Sequence, residues 1–228
     1  NMSNLQDFSQ LTHLKKLDLS SCRFPAESIA TVAALPQLKE LVLSGCGLSS
    51  LSGLNAAVGL ESLDISSNTI RNLDALSSLS NLEQLHAQHN AITDLTIVGT
   101  LGKLTTLDVS YNALTSIAPL SGCIRLETLN ASNNQINDVS TASSLPLLTE
   151  LNLNYNGISD LSGLSGCASL KALTISNNSI EDLSALTGIS TLEKLDFSYN
   201  SVSELPEFAS NSAMQVIDGS YNALESID

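Results

Sequence analysis

The chain has 228 residues, 43% of them hydrophobic, with 23 acidic side chains against 9 basic ones and a formal net charge of −14. That length fits one or two domains and that apolar content fits a packed core, which excludes a disordered chain. The charge argues against nucleic-acid partners and anionic lipid surfaces, because affinity for both comes from Lys and Arg. With only four Phe, four Tyr and no Trp, the core must be built from leucine.

No apolar run reaches the roughly 18 residues of a membrane span, and the opening Asn1-Met2-Ser3-Asn4 does not read as a signal peptide. Leu5, Phe8 and Leu11 follow at the spacing that closes a unit whose full form begins at Leu14. From there Leu14-x-x-Leu17-x-Leu19-x-x-Cys22-x-Phe24 sets a template that recurs from Leu38, Leu60, Leu82, Leu104, Leu126, Leu148, Leu170, Leu192 and Met214, stepping 24 residues once and then 22. With the first leucine as position 1, apolar residues fall at positions 1, 4, 6, 11, 14, 17 and 20, as in Leu148, Leu151, Leu153, Ile158, Leu161, Leu164 and Cys167. Alternation at positions 4 and 6 predicts a short strand with one buried face. Such strands, about 4.8 Å apart, build a parallel sheet on the order of 50 Å long. Burying seven apolar side chains contributes roughly 10–20 kcal/mol gross per unit, most of it offset by chain entropy. Each unit therefore needs its neighbours as a floor.

In the first unit, two extra residues fall within Pro25-Ala-Glu-Ser-Ile-Ala-Thr-Val-Ala-Ala-Leu35, which predicts a turn or two of helix behind the proline. The later units leave only about eleven residues for the return, too few for a full three-turn helix. Extended or 3₁₀ segments are expected there. Position 9 is Cys22 and Cys46 and then Asn at 68, 90, 112, 134, 156, 178, 200 and 222, a column of carboxamides that both donate and accept where the chain bends inward. Position 13 is often acidic (Asp94, Asp138, Asp160, Asp182, Glu204), as expected of side chains that cap the following turn. At the far end, Asn211 stands at position 20, Gly219 takes the place of a buried aliphatic, and Ile227 opens a further position 14. These departures read as an array degrading toward its end, and the chain as a monomeric segment of a longer protein.

The template resembles the leucine-rich-repeat signature L-x-x-L-x-L-x-x-N/C-x-L. Its unit length is similar to that of phosphatase-regulatory leucine-rich proteins and bacterial internalins, whose units also read N-x-I-x-D-I/L. The resemblance implies a right-handed α/β solenoid over residues 1–228. It would hold a partial unit at 1–13, about ten short parallel strands on a concave face, and extended or 3₁₀ convex segments.

Cys123 and Cys167 lie two units apart, about 10 Å, beyond the reach of a disulfide. Cys22 and Cys46 lie in adjacent units, where free buried thiols are the simpler reading. Four such thiols fit a reducing, cytoplasmic compartment; an extracellular surface is the alternative.

The sequence holds no phosphate loop, C-x-x-C, H-E-x-x-H or G-x-S-x-G motif, so no enzyme and no cofactor are expected. His86 and His89, with Asp64 and Asp108 on flanking strands, invite a metal reading. Two rings about 10 Å apart along an extended chain do not supply the three or four ligands at about 2 Å that zinc requires. What remains is the concave face, read from positions 2, 3, 5, 7, 8 and 10. Position 5 includes Asp64, His86, Asp108, Asn130 and Asp196; position 7 is almost all serine; position 8 includes His89, Tyr111, Tyr155, Tyr199 and Tyr221, so every tyrosine stands in one column. Those ten residues at positions 5 and 8 are the expected partner-binding set, tyrosine being enriched at interface centres. Residues 1–46 carry four basic and four acidic side chains, leaving five basic against 19 acidic in the rest. A protein partner with a basic surface is expected on the middle and C-terminal part of the face. The reading is a non-enzymatic protein-binding module or scaffold. The alternatives are a secreted or surface adhesin of internalin type, or the targeting module of an enzyme whose catalytic domain lies outside this segment.

Overall fold

Each full unit contributes a three-residue strand from positions 3 to 5 of the template, in a computed structural model that describes residues 6–208 and 210–225. The strands are β1 (Lys16–Asp18), β2 (Glu40–Val42), β3 (Ser62–Asp64), β4 (Gln84–His86), β5 (Thr106–Asp108), β6 (Thr128–Asn130), β7 (Glu150–Asn152), β8 (Ala172–Thr174), β9 (Lys194–Asp196) and β10 (Val216–Asp218). They pair in parallel, in sequence order, as one open ten-stranded sheet. Equivalent positions face one another, Leu17 with Leu41, Leu41 with Leu63, and at the far end Leu195 with Ile217. A slip of one residue would turn every buried leucine outward, so the repeat length enforces this register. The ladder extends past the strands: Leu19 N donates to Val42 O and Ser21 N to Ser44 O, while Lys15 O accepts from both Lys39 N and Glu40 N.

Burial comes from the adjacent unit. Leu195, covered by β10, is 1% exposed, whereas Ile217 at the same template position, with no described strand beyond it, is 46% exposed. Phe8 packs on the core and Leu11 is exposed; Leu5 and Ile227 lie outside the described residues.

The return segments are 3₁₀ turns, Leu54–Ala56, Asp74–Leu76, Val98–Thr100, Ala118–Gly122, Ser140–Ser144, Ser162–Leu164 and Ser184–Leu186. Behind Pro25 a turn at Ala26–Ser28 leads into α1 (Ile29–Ala33), which buries Ile29 and Val32. The turns pack closely enough that a Cβ on Gly99 would lie 1.9 Å from Pro119 O.

The asparagine column ties units together as expected. Asn112 Nδ2 donates to Val109 O and Ser110 O of its own unit and to Ala87 O of the preceding one, while its Oδ1 accepts from Ile92 N at 2.9 Å. Cys46 replaces that role in part, its Sγ donating to Leu19 O. All four cysteines are free thiols, and burial pushes Cys123 and Cys167 up to about 11.

At position 13, Asp94, Asp138, Asp160 and Asp182 each accept the N–H two residues on, at 2.7–2.9 Å. Ser50, Asn72 and Ser116 do the same in their units. Glu204 makes no such bond among the described residues, so four of the five acids cap as expected. Gly219 also differs from its expected reading. A Cβ there would sit 2.4 Å from Phe197 Cζ, so the glycine accommodates the fully buried Phe197 ring, which enlarges position 6 one unit earlier. Asn211, buried at position 20, donates its Nδ2 to Ile189 O at 2.7 Å, while its Oδ1 has no partner among the described residues.

Candidate functional site

Register alignment sets the candidate residues in two parallel columns. Asp64, His86, Asp108 and Asn130 lie side by side across β3 to β6. Asn152 and Thr174 separate them from Asp196 and Asp218 on β9 and β10. The sheet thus brings Asp64, His86, Asp108 and Asn130 together and leaves Asp196 apart. A shallow depression of about 270 Å³ occupies the neutral middle, lined in part by Thr128, Asn130, Asn152, Ala172 and Thr174 with Glu150 as its one charged group.

The position-5 carboxylates also serve the backbone. Asp108 Oδ1 accepts from Ser110 N at 2.9 Å and Ser110 Oγ at 2.7 Å, and Asp196 treats Ser198 in the same way. Asp108 Oδ2 further accepts from Asn130 Nδ2. The same bonds from Ser20 and Ser220 hold the Asp18 and Asp218 carboxyls below their ordinary value. The position-7 serines Ser66, Ser110, Ser132 and Ser198, whose N–H donates to the position-5 oxygen of their own unit, are buried, and so is Ser176. They belong to the turn, contrary to the expectation that position 7 lines the face. Thr174 Oγ1 is buried without a hydrogen-bond partner among the described residues, and Ser176 N donates instead to Asn154 Oδ1 of the preceding unit at 2.7 Å.

The position-8 column is left-handed throughout. Ser21, Ser67, His89, Tyr111, Asn133, Tyr155, Asn177, Tyr199 and Tyr221 have φ between 53° and 58°, and Gly45 has 66°. A bulky side chain in that region is a genuine outlier. Sequence reasoning missed this, although Gly45, His89, Asn133 and Asn177 are residue types that tolerate the conformation. The tyrosine rings remain open to solvent: Tyr111 is 50%, Tyr155 55%, Tyr199 49% and Tyr221 70% exposed. His89 stacks on Tyr111 with centroids 4.2 Å apart, and Tyr199 on Tyr221 at 4.1 Å. The Tyr221 hydroxyl is the first cause that raises the Tyr199 phenol above its ordinary value, with Tyr155 and Asp218 contributing.

Several lysines are paired across neighbouring strands. Lys16 meets Glu40 and Lys39 meets Glu61 at 2.7 Å, and Lys171 meets Glu193 at 4.0 Å. Exposed pairs of this kind contribute about 0–1 kcal/mol, but they neutralise the charge at positions 2 and 3. No group of three or more His, Cys, Asp and Glu side chains among the described residues is placed to hold a metal ion. None of their helices is long and apolar enough to cross a membrane.

A profile for paired leucine-rich repeats matches residues 36–78, 58–100, 80–122, 102–147 and 146–188, and a single-repeat profile matches residues 10–29. No curated protein matches the chain. Among solved structures, the internalin InlF of Listeria monocytogenes is 27% identical with a TM-score of 0.87, over 95% of this chain and 64% of that one. Internalin C2 of the same organism is 29% identical with a TM-score of 0.71, over 79% of this chain and 76% of that one. A plant peptide hormone receptor, RGFR1 in complex with RGF2, is 25% identical with a TM-score of 0.80, over 96% of this chain and 42% of that one. The chain spans less than two thirds of the length of InlF.

Proposed function

The chain belongs to the leucine-rich-repeat family, and on that premise we propose that it is a non-enzymatic protein-binding module whose concave face meets a partner with a basic surface. The observation that carries this reading is the column of four exposed tyrosines held at positive φ, with Asp108, Asp196 and Asp218 three residues before Tyr111, Tyr199 and Tyr221. Left-handed backbone costs a bulky residue roughly 1–2 kcal/mol, and an exposed ring adds little to the core in return. Tyrosine there is explained by what it presents to a partner, since large amphipathic rings with few rotatable bonds suit interface centres. The RGFR1 complex is a case of a similar solenoid engaging a peptide ligand.

The test is partner capture with the full chain and its Tyr155→Ala and Tyr199→Ala variants, followed by affinity measurement across ionic strength. Loss of the partner in either variant, and weakening with salt, is expected. Capture unchanged in both variants would move the site to the convex side or an edge.

A surface adhesin of internalin type is the second reading, favoured by the likeness to InlF over 95% of the chain. The four free thiols favour a reducing compartment instead. Cell fractionation of the native protein separates the two.

A further inference from the structure

Along the position-8 column, large and small side chains alternate so as to leave two notches. Tyr111, Tyr155 and Tyr199 stand half-exposed, with the more sheltered Asn133 between the first two and Asn177 between the last two. All five share one backbone conformation, with φ of 53–56°, so their side chains leave the chain in a common direction, one repeat apart. The stacked pairs tell how rings in this column face. His89 and Tyr111 are within 15° of parallel and Tyr199 and Tyr221 within 11°, so the ring planes stand across the solenoid axis. His89 covers one face of Tyr111 and Tyr221 one face of Tyr199, and their other faces look across an asparagine toward Tyr155.

Two repeats set the facing rings about 9 Å apart. The middle of each notch is then about 4.5 Å from both rings, inside the ~6 Å over which a cation is attracted to a ring face. Asn177 Nδ2 reaches back to Ser176 Oγ, and neither Asn133 Oδ1 nor Asn177 Oδ1 accepts a hydrogen bond from a described residue, so both carboxamide oxygens are available as acceptors. Asp108 and Asp196, three residues before Tyr111 and Tyr199, add negative charge at the two outer walls.

We propose that the two notches are twin cation slots, each taking one Arg or Lys side chain of a partner's extended segment between two tyrosine faces and over an asparagine. This rests on the reading of the concave face as a protein-binding surface. The slot centres are also two repeats apart, about 9–10 Å, which matches the roughly 9 Å rise of one three-residue turn of polyproline II, the extended conformation in which residues i and i+3 point the same way. The segment therefore carries basic residues at i and i+3 and runs along the column, across the strands. The outer rings are already braced by His89 and Tyr221, so little ordering cost is left for binding.

The experiment uses the full chain with three peptides built otherwise of Gly, Ser and Thr: arginines at i and i+3, arginines at i and i+1, and citrullines at i and i+3. All four tyrosines lie in this column and the chain has no tryptophan, so tyrosine emission reports this surface alone while calorimetry gives affinity. The i, i+3 arginine peptide is expected to bind on the order of 10-fold tighter than either control. Tyr155→Ala, which opens both slots, removes that preference; Tyr155→Phe, which keeps the ring face, retains it. Equal binding of the citrulline peptide, an unchanged preference in Tyr155→Ala, or no binding of the arginine peptide at millimolar concentration overturns the slots. Binding that changes tyrosine emission without regard to charge sinks the slots and leaves the wider reading standing. Binding that leaves tyrosine emission unchanged sinks both.

Discussion

At the residue scale, the same short side chains do different work at different template positions. Asp94 and Asp182 accept the hydroxyl and the N–H of Thr96 and Ser184, Asp138 accepts the N–H and the hydroxyl of Ser140, and those hydrogen bonds hold the three carboxyls below the ordinary value. A depressed folded-state pKa contributes stability above the unfolded value near 3.9, lost as pH falls through the folded one. We expect the urea midpoint to fall on acidification below about pH 4, and to fall less steeply in a triple Asp94→Asn, Asp138→Asn, Asp182→Asn variant, because a carboxamide keeps the acceptor without titrating. An equally steep fall would show that other carboxylates govern acid unfolding. At position 8 the expectation has the opposite sign to most core changes. Tyr155→Asn places a residue suited to positive φ and should leave the stability equal or slightly higher, by up to about 1 kcal/mol, with the melting temperature unchanged or raised. A drop of several degrees would mean that the ring serves the fold.

At the element scale, neighbouring strands are coupled through position 6. Phe197 occupies space that Gly219 vacates, so Gly219→Val should destabilise by about 1–3 kcal/mol through overpacking. Adding Phe197→Leu should recover part of that loss, and the coupling is read from a double-mutant cycle in urea. Strict additivity would separate the two sites. The asparagine column couples units through the backbone: Asn112→Ala leaves Ile92 N and the carbonyls of Ala87, Val109 and Ser110 without their side-chain partner. A cost of about 1–3 kcal/mol is expected, whereas a change within measurement error would show that water replaces the carboxamide.

At the scale of the whole molecule, stability is nearly a sum over units and their interfaces. Deleting residues 126–147 removes one full unit and joins two that match the same template, so cooperative unfolding should persist with a smaller denaturant slope. The deletion also removes Asn133 and sets Tyr155 next to Tyr111. The two rings should then stack as Tyr199 and Tyr221 do at 4.1 Å, closing one slot. A deleted chain that still prefers the i, i+3 arginine peptide by the full factor would contradict the twin-slot geometry.

The strand positions, the sheet register, the asparagine column and the scarcity of convex helix were all legible in the sequence, because a strict repeat lets each unit predict its neighbour. The candidate residues were legible as columns for the same reason. The left-handed backbone at position 8 was not read, since Tyr disguises a conformation that Gly45 and Asn133 signal only weakly. The burial of the position-7 serines was not read either, because a hydroxyl looks solvent-facing until the neighbouring carboxylate is seen to accept from it. Local periodicity settled what every unit must bury. Only the tertiary structure decided which polar groups satisfy one another and which remain free, because that depends on contacts between units, as where Phe197 fills the space above Gly219 and Tyr221 stacks on Tyr199.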